Sequence, residues 1–72
     1  MTDTRELDAR EIPLLKKLGV VVAAVESLQP GESLVLINDI DPRPLRLRLG
    51  SGFNWEVISS DKGDHRVRVT RL

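Results

Sequence analysis

Apolar and polar positions along the chain change period several times, and each change marks an element. In Arg5–Ile12 (R-E-L-D-A-R-E-I), Leu7, Ala9 and Ile12 suggest a short first strand with imperfect alternation. Pro13 then suits the first position of a helix, where a missing N–H costs nothing. Beyond it Leu14, Leu18, Val21, Val25 and Leu28 step by four, three, four and three residues. That spacing predicts one apolar stripe down a helix, widened by Leu15 and Val22, with Lys16, Lys17, Glu26 and Ser27 falling away from it. Gly19 and the β-branched run Val20-Val21-Val22 oppose a helix. The stripe persists over about four turns and outweighs them. Gln29-Pro30-Gly31-Glu32 stops the helix and turns the chain.

Ser33–Ile37 (S-L-V-L-I) is a continuous apolar run, the pattern of a strand buried on both faces and fed by a crossover helix. Arg5–Ile37 therefore reads as a βαβ unit with parallel strands and a right-handed crossover. Asn38–Pro44 (N-D-I-D-P-R-P) is the most loop-like stretch. Asp41-Pro42 resembles an N-cap followed by a proline at the first helical position. The alternation of Leu45-Arg46-Leu47-Arg48-Leu49 fits a strand, while the i, i+4 spacing of Leu45 and Leu49 fits a helix. The cap signal favours a short second helix, with Gly50 and Gly52 bracketing its end. Phe53–Ser59 reads as a strand with Phe53, Trp55 and Val57 on one face and Asn54, Glu56 and Ile58 on the other. Ser60–Asp64 contains a glycine and forms the expected hairpin loop. Arg66–Leu72 alternates cleanly, with Val67 and Val69 inward and Arg66, Arg68 and Thr70 outward, and should pair antiparallel with Phe53–Ser59. The predicted order is β-α-β-α-β-β.

Seventy-two residues leave room for one domain, residues 1–72, and one core. A chain this short hides only about 60% of the surface its unfolded form exposes. It contains no cysteine and one histidine, His65, which excludes disulfides, thiolate metal sites and a multi-histidine site within one chain. Eleven basic residues balance eleven acidic ones, so no global field draws the chain to nucleic acid or to an anionic membrane. Eight of the eleven bases are arginine, the side chain suited to forked contacts with carboxylates and phosphates. The polar opening Met1-Thr2-Asp3-Thr4 lacks the apolar region of a signal peptide. The longest apolar run, Leu18–Val25, falls far short of the about 20 residues a transmembrane helix needs. The expected location is the cytoplasm.

Three segments carry a family resemblance: Leu7-Asp8-Ala9-Arg10-Glu11-Ile12-Pro13, Pro30-Gly31-Glu32-Ser33-Leu34, and Asn38-Asp39-Ile40-Asp41-Pro42-Arg43-Pro44-Leu45. Together they resemble a family of small, uncharacterised bacterial domains with the fold of the TusA (SirA-like) sulfur carriers, and the likeness covers nearly the whole chain. The Asn-Asp-x-Asp-Pro-x-Pro-Leu segment is its most specific part, followed by Leu-Asp-x-Arg. The resemblance implies an α+β two-layer sandwich: a four-stranded mixed sheet with two helices packed on one face. It also implies neighbours such as hemerythrin-like domains and respiratory or nitrogen-oxide settings. Two departures matter. Where sulfur carriers place the Cys-Pro pair that bears the persulfide, this chain has Ile12-Pro13, and persulfide transfer needs a thiolate. Where relatives often have histidine between the two aspartates, this chain has Ile40.

Parallel strands of a βαβ unit end on the same edge, which places Arg10 and Glu11 near Asn38, Asp39 and Asp41. Ligands of open α/β sheets bind at such edges. Together with Asp8 and Arg43, these are the candidate binding residues. Arg10 or Arg43 would hold a carboxylate or phosphate in a fork. The alternative is structural: Asp41 caps the second helix, Asn38 makes a turn, and Arg10 pairs with Asp39 or Asp41. Asp39 and Asp41 alone are too few ligands to argue for a metal, and no nucleophile or oxyanion hole accompanies them. No cofactor is expected, and an enzyme is the less favoured reading. Arg46, Arg48, Arg66, Arg68 and Arg71 would have to form a basic face for RNA, in an architecture similar to the C-terminal half of a bacterial initiation factor. With one Phe and one Trp, both expected to face the core, the aromatic platforms that single-strand binders use are missing. The expected partner is another protein or a small anion, and RNA and membrane are disfavoured.

Overall fold

The computed structural model describes residues 4–72, so the expectation for Met1-Thr2-Asp3 lies outside the described residues. In chain order the elements are β1 (Thr4–Asp8), α1 (Leu14–Glu26), β2 (Ser33–Asn38), α2 (Arg43–Leu49), β3 (Phe53–Asp61) and β4 (Asp64–Arg71). A 3-10 turn at Gly50–Gly52 links α2 to β3. The sheet order is β1-β2-β4-β3. β1 runs parallel to β2, from Thr4 opposite Ser33 to Asp8 opposite Ile37, and β4 is antiparallel to both its neighbours. Both β-α-β crossovers step across the sheet in the same direction, so helices of like handedness pack on one face. The fold has the β-α-β-α-β-β order that the residue pattern predicts and the α+β arrangement of two helices and a four-stranded mixed sheet that the resemblance implies.

Side-chain alternation divides the sheet. Leu34 and Leu36 of β2 lie beside Val69 and Val67 of β4, and these four form the core with Ala9, Val21, Val25, Leu28 and Leu45. Burying each of the larger of these contributes about 1.5–3 kcal/mol relative to leaving it in water. Arg71 locks the layers together. It donates to the carbonyls of Glu26 and Leu28 at 2.9 and 3.0 Å, where a cation meets the negative end of α1. Its guanidinium also lies 5.9 Å from the Phe53 ring centroid.

Several expectations need correction. Lys17 does not fall away from the stripe but is only 6% exposed, while Leu14 and Leu18 are 71% and 51% exposed. The inward line runs Lys17, Val21, Val25 at i, i+4, i+8 and then Leu28, because the seat of α1 on the sheet fixes its rotation. Pro13 caps α1 rather than starting it. Asp41 does serve the start of α2, but its carboxylate accepts the Arg43 N–H at 3.0 Å, and Pro42 stands at the cap position. The expected hairpin loop shrinks to Lys62-Gly63, with Asp61 opposite Asp64. Gly63 has φ +79°, a conformation a side chain would strain. β3 carries a bulge between Val57 and Ser59. Trp55, expected in the core, is half-buried and packs against it from the edge strand. His65 lies on the central strand β4 opposite Asn38.

Candidate functional site

The motif Asp-x-Arg occurs four times in the sequence, and the three copies that lie wholly within the described residues each close on themselves. Arg10 grips Asp8 in a fork, Nε to Oδ1 at 2.9 Å and Nη2 to Oδ2 at 2.7 Å, and its backbone N–H donates to the same carboxylate at 3.1 Å. Arg66 grips Asp64 in the same way at 3.0 and 3.2 Å. Arg43 donates Nε to Asp41 Oδ2 at 2.7 Å. Asp64 and Arg66, two apart on β4, share a face, while Asx turns bring Asp8 to Arg10 and Asp41 to Arg43. The spacing is visible in the sequence, yet these pairs are what residue-by-residue reasoning missed.

The Asp8–Arg10 and Asp64–Arg66 pairs join. Arg10 Nη1 lies 3.8 Å from Asp64 Oδ2, giving the chain Asp8–Arg10–Asp64–Arg66 on the sheet face away from the helices. Arg10's hydrogen bonds hold the Asp8 carboxyl down at about 2. Asp64 is lowered chiefly by the Arg66 guanidinium. Asp41 is lowered by the Arg43 N–H first and its guanidinium second.

The expected convergence of Arg10 and Glu11 with Asn38, Asp39 and Asp41 does not occur. Arg10 turns to the open face, to Asp8 and Asp64, and Glu11 takes part in none of these pairs. Asn38 is buried at the end of β2 and its side chain accepts the Asp39 N–H at 2.9 Å. Asp39 reaches the other way, into the helical layer, and pairs with Lys17 Nζ at 2.5 Å. That hydrogen bond lowers the Asp39 carboxyl. Over this pair opens a mainly apolar groove of about 120 Å³, walled by Leu14, Leu18 and Val21 of α1 and by Ile40, Pro42 and Leu45. Its rim is exposed, with Ile40 at 48% and the adjacent Leu15 at 99%. The candidate residues thus sort into a self-neutralised charge chain (Asp8, Arg10), a self-neutralised turn (Asp41, Arg43) whose aspartate borders the groove, a polar residue lining that groove (Asn38) and the partner of its lysine (Asp39).

Compared with known proteins, residues 6–71 match the family described as "Uncharacterized conserved protein (DUF2249)". The chain belongs to this family. No curated protein and no solved structure matches it. The DUF2249 match runs from β1 to the end of β4 and so contains the groove and the three closed Asp-x-Arg pairs.

The five arginines suggested as a basic face do not share one in this DUF2249 chain. Arg66 and Arg68 lie away from the helices, paired with Asp64 and with Glu56 at 2.9 Å. Arg71 lies on the helix side against the end of α1, and Arg46 and Arg48 belong to α2. Among the described residues no group of three or more His, Asp or Glu side chains is placed to hold a metal ion. No helix among them is long and apolar enough to cross a membrane.

Proposed function

We infer that this DUF2249 chain is a non-catalytic binding module of the cytoplasm, related in fold to the sulfur carriers but without their thiol, and that it receives an apolar side chain of a partner protein in the groove beside α1. One observation carries the reading. Leu14, Leu18 and Ile40 line a groove yet stay exposed, with Leu15 exposed next to Leu14 on α1, and the groove's one lysine, Lys17, is already satisfied by Asp39. Contiguous exposed apolar surface rimmed by polar groups marks interaction sites, and interfaces are anchored by apolar side chains seated in such pockets. The anion reading is weaker, because the guanidiniums of Arg10 and Arg43 are both taken by neighbouring carboxylates. Persulfide transfer has no sulfur to use, since Ile12 stands where the carriers have cysteine.

A photo-crosslinking residue at Leu15, introduced in the cells that make the protein, tests the reading. A discrete heterologous adduct that disappears when Leu18→Glu is added supports it. Adducts that persist with Leu18→Glu, or an adduct of twice the chain's mass in place of a heterologous one, overturn it.

A further inference from the structure

A second concavity lies on the helix side of the sheet, at the same end of α2 as the groove, with which it shares Asp41 and Pro42. α2 has seven residues and β3 nine. At about 1.5 and 3.3 Å per residue, the helix covers roughly a third of the strand's length. The hairpin half of β3 and β4 is therefore left uncovered, and Val57 is 59% exposed there. The result is a cleft of about 270 Å³ between the start of α2 and the hairpin.

Its lining has three parts. Trp55, Val57 and Val67 supply an apolar wall. Asp41 and Arg43 stand at the helix side, but their charges are spent on one another. Ser60 and His65 close the far end, with Ser60 Oγ 2.9 Å from His65 Nδ1. The bulge after Val57 is what makes this pairing: it sets Ser59 opposite Arg66 and Ser60 opposite His65, so that Ser60 shares His65's face. A hydroxyl and an imidazole each donate or accept according to need.

We propose that this cleft is a binding site for a neutral heteroaromatic ring of the nucleobase class. Each part of the lining selects one property. An apolar wall that includes an indole favours a flat apolar face. The Ser60–His65 end favours a ring edge that carries both donors and acceptors. The closed Asp41–Arg43 pair disfavours an ion, because a ligand charge buried there would have no free counter-charge. The site borders the groove beside α1 at Asp41 and Pro42, but its apolar wall comes from β3 and β4 rather than from α1.

Trp55 is the only tryptophan, and there is no tyrosine, so its fluorescence reports the site directly. The intact chain is titrated with adenosine, uridine and guanosine, with benzoate as a charged aromatic control, and with a hexaribonucleotide. Saturable fluorescence change is expected with at least one nucleoside, at a Kd on the order of 0.1–1 mM for a ligand of this size. His65→Gln and Ser60→Ala should each weaken it about 3- to 10-fold, the worth of one hydrogen bond. The folded state of each variant is checked by its amide spectrum. A hexaribonucleotide that binds no tighter than its nucleoside makes the free base or nucleoside the ligand. A much tighter, salt-sensitive complex makes it a base within a strand. No saturable response to any nucleoside, a response unchanged in both variants, or benzoate binding as tightly as the nucleosides overturns the proposal.

Discussion

Leu36 and Ile37 are neighbours in β2 and almost equally hidden, at 0% and 3% exposure, yet they are hidden by different means. Leu36 points to the helices and lies in an aliphatic core with Val21, Val25 and Val67. Ile37 points to the open face, where no helix reaches. Its cross-strand neighbours are Asp8 on β1 and Arg66 on β4, the two ends of the Asp8–Arg10–Asp64–Arg66 chain. The stems of long charged side chains cover apolar surface while their heads stay wet. The charge chain of the open face thus satisfies itself, with Asp8 and Asp64 each held by a guanidinium. The helix side closes its core but leaves Leu14, Leu15, Leu18 and Ile40 exposed. What a surface leaves unsatisfied is what a partner can use, which is why both proposed sites lie on the helix side.

The largest expected effect tests how far the two modes of burial differ. Leu36→Ala removes a side chain from a close-packed core and should cost about 2–5 kcal/mol. A domain this size has a total stability of roughly 5–15 kcal/mol or less. Ile37→Ala should cost less, because flexible charged stems collapse onto the space more readily than helices do. Urea midpoints of the two variants, compared with the parent chain, check the order. Equal losses would mean that the open face is packed as rigidly as the core.

The difference between the faces also governs what the sequence discloses. The elements follow from periodicity and from the caps: the stripe of α1, the Pro30-Gly31 break, the alternation of β4. These are local signals, and the βαβ reading of Arg5–Ile37 follows from their order. The charge pairs of the open face are equally local, two copies of Asp-x-Arg, and were legible as a spacing. The groove was not. Its lysine, Lys17, is held by Asp39 across 22 positions, and its exposure depends on how α1 is rotated on the sheet. A stripe containing both Leu14–Leu18 and Val21–Val25 is compatible with more than one rotation. A lysine on its margin looks like a solvated residue until a carboxylate from β2's end is placed beside it. The cleft was hidden for a similar reason, since it depends on the shortness of α2 and on a bulge.

A middle-sized effect separates the two members of the Lys17–Asp39 pair. Removing Asp39 leaves the Lys17 ammonium buried under apolar side chains with no counter-charge, the costly half of breaking such a pair. Replacing Lys17 by methionine removes the charge while keeping the length, and leaves Asp39 half in water, where it needs no partner. Asp39→Ala should therefore lower the urea midpoint clearly, and Lys17→Met should leave it near or above the parent value. The double variant should resemble Lys17→Met. A loss in Lys17→Met as large as in Asp39→Ala would show instead that the ion pair itself holds the loop onto α1.

The smallest effect belongs to the open face. Exposed ion pairs contribute little at neutral pH, because water and salt screen them, so Arg10→Ala should barely move the urea midpoint at pH 7. Acid reveals more. Asp8 ordinarily titrates near 3.8 and is held at about 2 in the folded chain. A carboxyl whose folded value lies below its unfolded one stabilises the fold at pH above the unfolded value. That stabilisation is lost as pH falls from about 4 to about 2, where the unfolded chain takes up the proton first. Asp39, Asp41 and Asp64 are shifted in the same direction and steepen the fall. Arg10→Ala frees Asp8 to titrate near its ordinary value, so the variant should lose less on acidification, and its midpoint should converge on that of the parent chain near pH 2. Carboxyl chemical shifts followed from pH 6 to pH 2 assign the change to Asp8. Parallel curves for parent and variant would mean that Asp8 draws its low value from Arg66 and the sheet rather than from the fork with Arg10.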